Sequence, residues 1–391
     1  MRRVRPILSS VFALAALFAC SGEVRAFHEG GVLACANCHT MHNSQNGQAV
    51  DPGHPGGDTH LLRYGNSSDT CLRCHAAFGQ FAGGFGYGPG GDFYWLTRSY
   101  TWIGNDGTPG SSPGHSHGHN VIAPAYGLIQ DPVLPVAPGG DFPSQHLGCT
   151  SCHDPHGNTN YMMLYGAGGA SYYNGQRASF TDPAPLAVGN GPLTTWSLPC
   201  LSCHNIHGAQ SKANIHDHAA ETDARHPVYK SGVSEWCANC HGFFHDEGLA
   251  DFEHPTREEF ESDLAGVYNA YLSSDDQLGG DAAHSYWGLV PFEAVNVDLA
   301  TVNPQNRTQG PTAPDRVMCL SCHRAHASPF PRGGRWDFTA TFIADSHPRI
   351  TDTGASTNDV ANRYYRYAFV TTQGSLCRKC HPWDMGGDRL Q

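Results

Sequence analysis

Fourteen of the fifteen cysteines in this chain fall into seven Cys-x-x-Cys-His units, and no other feature constrains its fold so tightly. The units are CANCH (35–39), CLRCH (71–75), CTSCH (149–153), CLSCH (200–204), CANCH (237–241), CLSCH (319–323) and CRKCH (377–381). An even cysteine count in an exported chain ordinarily suggests a disulfide framework. That reading leaves the seven histidines unexplained. A single unit would also suit a thioredoxin-like or zinc site. Seven of them, using every cysteine after Cys20, point to covalent c-type haem.

Two thiols on one helical turn can form thioethers to the two vinyl groups of a haem, and the adjacent histidine then projects beneath the ring to the iron. The thioether positions are Cys35, Cys38, Cys71, Cys74, Cys149, Cys152, Cys200, Cys203, Cys237, Cys240, Cys319, Cys322, Cys377 and Cys380. The proximal ligands are His39, His75, His153, His204, His241, His323 and His381. Of 25 histidines, 18 remain for the far sides of seven irons, against five methionines after Met1: Met41, Met162, Met163, Met318 and Met385. The expectation is bis-His ligation throughout. Saturated irons offer a substrate no open position, and no lysine-ligated CxxCK unit occurs. Electron transfer, not catalysis, follows.

Four units carry a histidine three residues past the proximal one, in CANCHTMH, CTSCHDPHG, CLSCHNIHG and CLSCHRAHAS; CANCHGFFH has it at four. These are His42, His156, His207, His326 and His245. One reading makes them local polar residues bonded to haem propionates. The other makes each the distal ligand of a neighbouring haem. One segment would then hold two irons and bring their ring edges nearly into contact, which suits tunnelling because its rate falls exponentially with distance.

The 46 glycines and 26 prolines argue for turns and irregular backbone. Proximal histidines lie 36, 78, 51, 37, 82 and 58 residues apart, leaving each haem about fifty residues, too few for its own apolar core. The expected fold is mostly irregular with short α-helices and little β, its core a chain of stacked haems faced by aromatic side chains. A helix is expected over 257–272, with Phe260, Leu264, Val267 and Tyr271 on one face.

Residues 1–26 read as an export signal: Arg2, Arg3 and Arg5, an apolar run from Ile7 to Ala19, then Val24-Arg25-Ala26. A retained anchor and a lipoprotein site at Cys20 are the alternatives. Residues 27–391 then form a single heptahaem domain, with no later apolar run long enough to span a membrane. The formal charge is −12, and cleavage would remove four arginines and only one acid. With no basic run, nucleic acid is excluded as a partner. His115, His117 and His119 ("HSHGH") form either a metal tract or, for the first two, an exposed loop. His54, His60, His146, His284 and His347 read as surface residues or propionate partners.

Beyond the haem units, longer stretches resemble the filament-forming extracellular multihaem cytochromes of metal-reducing bacteria, the OmcS type. They include "FHEGGVLACANCHTMHNS" (27–44), "GGDFYWLTRSYTW" (90–102), "GHNVIAPAYG" (118–127) and "APGGDFPSQHLGCTSCHDPHG" (137–157). Further on come "SEWCANCH" (234–241), "VPFEA" (290–294), "CLSCHRAHAS" (319–328) and "LCRKCH" (376–381). The resemblance spans most of the chain and implies bis-His haems in one continuous row. It implies that His42 ligates the iron of Cys319, Cys322 and His323 in the next subunit, so that copies join head to tail. It also implies His119, His156, His245 and His326, and further His28 and His254, as distal ligands. The hexahaem members lack the unit at Cys200–His204; His207 and His226 are candidates near that extra, seventh haem.

The expected protein is therefore an exported heptahaem nanowire subunit at the cell surface, with other redox proteins and extracellular acceptors as partners. A non-polymerising periplasmic or surface carrier is the first rival, with His42 serving its own chain. A multihaem reductase with one open iron is the second.

Overall fold

The computed structural model describes residues 35–58, 60–76, 89–173, 176–189, 221–245, 256, 258–365 and 367–381. The export signal, Cys20, His28, the unit at Cys200, Cys203 and His204, and His207, His216, His218 and His254 lie outside them, as do the side chains of Cys74 and His245.

Short helices carry the cysteine pairs. Helix α1 (Cys35–Cys38) is a single turn, followed by a two-residue antiparallel ladder of β1 (Ser44–Gln45) and β2 (Gln48–Ala49). Helix α2 (Ser67–His75) starts where the Asn66 side chain accepts from the Asp69 amide at 2.8 Å, and it has Arg73 and His75 in its last turn. Cap and charges both suit the helix dipole. Strands β3 (Tyr100–Ile103) and β4 (Pro109–Ser112) then pair in the register Tyr100↔Ser112 to Ile103↔Pro109.

Helix α3 (Cys149–Cys152) is again one turn. After it come the hairpin of β5 (Ala170–Tyr173) with β6 (Gln176–Ser179) and a ladder of β7 (Leu186–Val188) with β8 (Val228–Ser231). Helix α4 (Val233–His241) follows Gly232, which sits in the left-handed region at φ 87°. The remaining α-helices among the described residues are α5 (Ser262–Ala270), the single turn α6 (Cys319–Cys322) and α7 (Thr357–Asn362), the last closed by a reciprocal cap between Ser356 and Asp359.

Helix α5 starts later than the sequence pattern predicts. Phe260 leaves the helix because its amide bonds Asp315 O at 2.7 Å and Glu259 bridges Arg316, so tertiary pairing overrides local propensity. Ala265, Tyr268 and Tyr271 form the buried side.

Two-stranded ladders are marginal by themselves, so other contacts hold them. The main apolar cluster is aromatic: Phe260, Tyr268, Tyr271, Tyr286, Trp287, Phe292, Phe330, Trp336 and Tyr364, with Cys322, Cys377 and Cys380 packed against it. Far in sequence, Asp359 accepts from Tyr94 Oη at 2.7 Å and Arg98 Nη2 at 2.8 Å, tying α7 to the turn before β3. Little β and much irregular backbone are as the sequence implied.

Candidate haem-binding sites

Three of the units share one backbone design. After α3, the His153 amide bonds Cys149 O at 3.0 Å, Asp154 N bonds Met163 O at 2.9 Å, and Tyr165 N returns to Cys152 O at 3.1 Å. After α6 the equivalents are His323 to Cys319 at 3.0 Å, Arg324 to Gly333 at 2.7 Å and Arg335 to Cys322 at 2.7 Å. After α1 they are His39 to Cys35 at 2.8 Å, Thr40 to Leu61 at 2.6 Å and Arg63 to Cys38 at 2.9 Å. Each proximal histidine thus sits in an antiparallel bridge, with Leu62, Leu164 or Gly334.

The returning strand fixes the ring. Nδ1 of His39 lies 3.0 Å from His60 O, that of His153 2.8 Å from Met162 O, and that of His323 2.9 Å from Arg332 O. His241 makes the same contact with Pro138 O at 2.6 Å, and His119 with Ala325 O at 2.5 Å. A carbonyl only accepts, so Nδ1 carries the hydrogen and Nε2 keeps its lone pair. That is how a protein orients an imidazole ligand. On the returning strands, Leu61, Met162 and Arg332 sit at φ of 59°, 50° and 62°.

The rings meet in pairs. His39 faces His156 with centroids 6.3 Å apart and planes 12° from parallel. His153 faces His326 at 6.4 Å, and His241 faces His119 at 5.9 Å. Two imidazoles bound trans to one metal at about 2 Å per nitrogen have centroids about 6 Å apart. The three centroid separations match that spacing, with planes 12°, 62° and 45° apart, and each pairs a proximal histidine with an expected distal one. Beside His323 the ring is Phe338, edge-on at 5.5 Å, and no histidine ring is paired with it among the described residues. His42 is exposed, next to Met41 at 78 %.

Two of the expected distal histidines, His119 and His326, are held by one backbone knot. His119 N bonds His326 O at 2.8 Å, Ser328 N bonds His117 O at 3.0 Å, His326 N bonds Gly90 O at 2.7 Å, and Asp92 N bonds Ala327 O at 3.1 Å. Burial pulls His119 down to about 4 and His326 to about 3, and it also lowers His153 and His323. The neutral ring it favours is the ligating form. His119 is densely surrounded by protein although part of its surface is exposed.

The cysteines form no disulfide among the described residues. Instead the helices pair. Cys71 and Cys149 thiols come within hydrogen-bonding reach, as do those of Cys237 and Cys319. In each pair the later helix is capped by the earlier: Cys149 N donates to Ser68 Oγ and Cys319 N to Ser234 Oγ, both at 3.1 Å. Inside CTSCH and CLSCH, Ser151 Oγ accepts from Gly148 N at 3.0 Å and Ser321 Oγ from Met318 N at 3.1 Å. Sequence reading missed these serines. Their signal is a serine three residues before Cys71 and Cys237, and one between the cysteines of their partners.

Other histidines are corrected. His117 is buried, its Nε2 2.7 Å from Ser112 Oγ and its Nδ1 2.9 Å from Trp95 O, so it is neither exposed nor free to ligate. No cluster of three metal-binding side chains occurs among the described residues, which removes the HSHGH tract as a separate metal site. His226, a candidate for the extra haem, has both ring nitrogens 2.9 Å from carbonyls, of Pro227 and Arg307, and stacks on Tyr286. His347 is half-buried, stacked on Trp102 and bonded to Asp352 at 2.6 Å. His54 and His284 are exposed and bonded to Asp51 and Asp281.

At the last unit, Lys379 is buried, donates to Tyr271 O at 2.9 Å and lies 4.3 Å over the Tyr268 ring; burial pulls its ammonium down to about 7. No helix among the described residues is long and apolar enough to cross a membrane.

Paired imidazoles, four of them with Nδ1 committed to a carbonyl, together with short helices that each carry two cysteines, define a multihaem c-type cytochrome. No family model matches the chain. It is 33 % identical to the C-type cytochrome OmcS of Geobacter sulfurreducens over 95 % of its own length and 98 % of that protein's. Two solved filament structures of OmcS from the same organism, one described as nanowires, superpose with TM-scores of 0.71 and 0.72 at 28 % and 29 % identity, covering 92 % of this chain and all of theirs. The chain belongs to the OmcS family of c-type cytochromes.

Proposed function

We propose that this chain is a heptahaem electron conductor that polymerises head to tail into an extracellular filament and delivers electrons to external acceptors. The observation that carries the reading is the set of three histidine pairs at 5.9–6.4 Å, their Nδ1 hydrogens committed wherever a carbonyl contact is present. Bound haem supplies one-electron Fe(III)/Fe(II) chemistry.

The chain's own residues do the rest. Cys35/Cys38, Cys149/Cys152 and Cys237/Cys240 hold three haems whose ligand pairs are His39/His156, His153/His326 and His241/His119. Cys71/Cys74, Cys200/Cys203, Cys319/Cys322 and Cys377/Cys380 hold the other four, with His75, His204, His323 and His381 proximal. His42 reaches the iron of His323 in the neighbouring copy; its exposure and the absence of a facing imidazole beside His323 among the described residues support that assignment. His28, His207, His245 and His254 are the candidates for the remaining irons. Bis-His saturation excludes substrate from the metal, so the protein conducts and does not catalyse. A contact that repeats without closing gives an open filament. The segment 1–26 directs export.

Cryo-electron microscopy of the haem-loaded protein, beside its His42→Ala variant, tests the reading. Filaments with density joining His42 to a neighbour's iron, and discrete particles with one high-spin haem in the variant, are expected. Discrete wild-type particles, or a six-coordinate low-spin variant that still polymerises, would overturn it.

A further inference from the structure

Two glutamates meet at the start of α4. Glu293 is 2 % exposed, and its Oε1 accepts from the amide of Val233, the first residue of the helix, at 2.8 Å. Glu235 lies in the helix's first turn, with Oε2 buried and without a hydrogen-bond partner. The cation facing Glu293 is Arg316, joined to it by an antiparallel bridge, but the Arg316 guanidinium is also ion-paired at 3.5 Å to Glu259. Arg316 is thus shared with the solvent-exposed Glu259, and the buried Glu293 cannot stay ionised without cost.

The other groups around Glu293 do not relieve this. From α6 the facing group is the Cys319 sulfur. On β8, Tyr229 bridges Glu293 and Lys230 gives its ammonium to Val297 O at 2.9 Å. In the segment before α6, the Asp315 carboxylate is taken by the amides of Val295 at 2.8 Å and Thr312 at 2.7 Å. Burial, reinforced by Glu235 and opposed by the Val233 amide and Arg316, raises the Glu293 carboxyl to about 7.

The position links this acid to two haems. Helix α4 runs from the Val233 amide to His241, and its Cys237 lies against Cys319 of α6. We propose that Glu293 is a proton acceptor coupled to electron arrival on the haems carried by α4 and α6. This rests on the assignment of those haems to Cys237, Cys240 and His241 and to Cys319, Cys322 and His323. One electron reduces one Fe(III) to Fe(II), and one proton from solvent forms an O–H bond on the Glu293 carboxylate. Oxidation returns both. The driving force is the loss of one positive charge in a medium of low dielectric, which raises the proton affinity of a buried neighbour. Electron flow through this part of the row then carries a proton on and off, and becomes sensitive to pH near neutrality.

The test uses the haem-loaded full-length protein. Spectroelectrochemical titration between pH 5.5 and 8.5 should show at least one haem whose reduction equilibrium falls by up to about tenfold per pH unit through neutrality. Reduced-minus-oxidised infrared spectra should show a protonated-carboxyl band gained on reduction. Both should vanish in Glu293→Gln, which keeps an acceptor for Val233, and the pH dependence should move to lower pH in Glu235→Gln. Unchanged pH dependence in Glu293→Gln overturns the proposal. So does a wild-type infrared spectrum without the carboxyl band, a result that stands even if the variant assembles poorly. Peptide mass analysis finding no haem on Cys237 and Cys240, or on Cys319 and Cys322, would instead sink the haem assignment.

Discussion

His153 and His326 face each other with ring centroids 6.4 Å apart, although 173 residues separate them in sequence. His326 is also stacked on Phe93 at 4.5 Å, which restrains its ring. A ring held this way is preorganised for the ligation proposed above.

His326→Ala should therefore convert one haem per chain from low spin to high spin while leaving the rest unchanged. His326→Met should keep six-coordination and raise that haem's potential, since thioether sulfur favours the reduced iron. Electron paramagnetic resonance counts the high-spin fraction, and a redox titration reads the Met variant. A wholly low-spin Ala variant would show that His326 does not ligate.

The two glycines beside that ring carry a second prediction. A Cβ on Gly90 would lie 2.9 Å from His326 Nδ1, and one on Gly91, at φ 78°, would lie 2.0 Å from Ala327 O. Gly91→Ala should cost at least ~1–3 kcal/mol of stability because strain and clash coincide. Gly90→Ala should act more locally, displacing the His326 ring and weakening ligation. Denaturant unfolding and the low-spin optical spectrum separate the two effects.

The haem-attachment pattern is legible in the sequence because covalent chemistry leaves a fixed spacing, seven times over. The pairing of His156 and His326 with proximal rings is legible because both stand three residues past a proximal histidine. His119 is legible only through the family resemblance, and His117, two residues away, took a structural role that the sequence does not distinguish. What stays hidden is whatever the backbone supplies. The carbonyls of His60, Met162 and Arg332 that orient three proximal rings could belong to any residue type, and the positive φ of Met162 and Arg332 runs against propensity. The start of α5 was hidden for a similar reason, because Phe260 is claimed by the distant Asp315 carbonyl.

Ser68 and Ser234 make a third case. Each hydroxyl accepts the first amide of the facing one-turn helix at 3.1 Å, where a helix of one turn has no internal partner for it. Ser68→Ala should leave the Cys149 amide unpaired and cost ~1–3 kcal/mol; Ser234→Ala should do the same at Cys319. Amide hydrogen exchange at Cys149 and Cys319 should accelerate in the respective variant and only there. Uniform acceleration in both would mean that the pairs do not act as separate units.

Glu293 gives a stability prediction independent of redox chemistry. Its carboxyl sits at about 7 in the folded chain against an ordinary 4.5. Between those values the folded state holds a proton that the unfolded state has released, so stability falls as pH rises from 4.5 to 7 and is flat on either side. The span corresponds to about 3 kcal/mol from this one group. Glu293→Gln removes the slope, so the variant should gain on the wild type steadily across that window and hold its advantage above it. Unfolding by guanidinium at pH 5 and pH 7.5 measures the difference directly. If the two proteins run parallel over that interval, Glu293 is ionised throughout and the buried carboxylates are neutralised elsewhere.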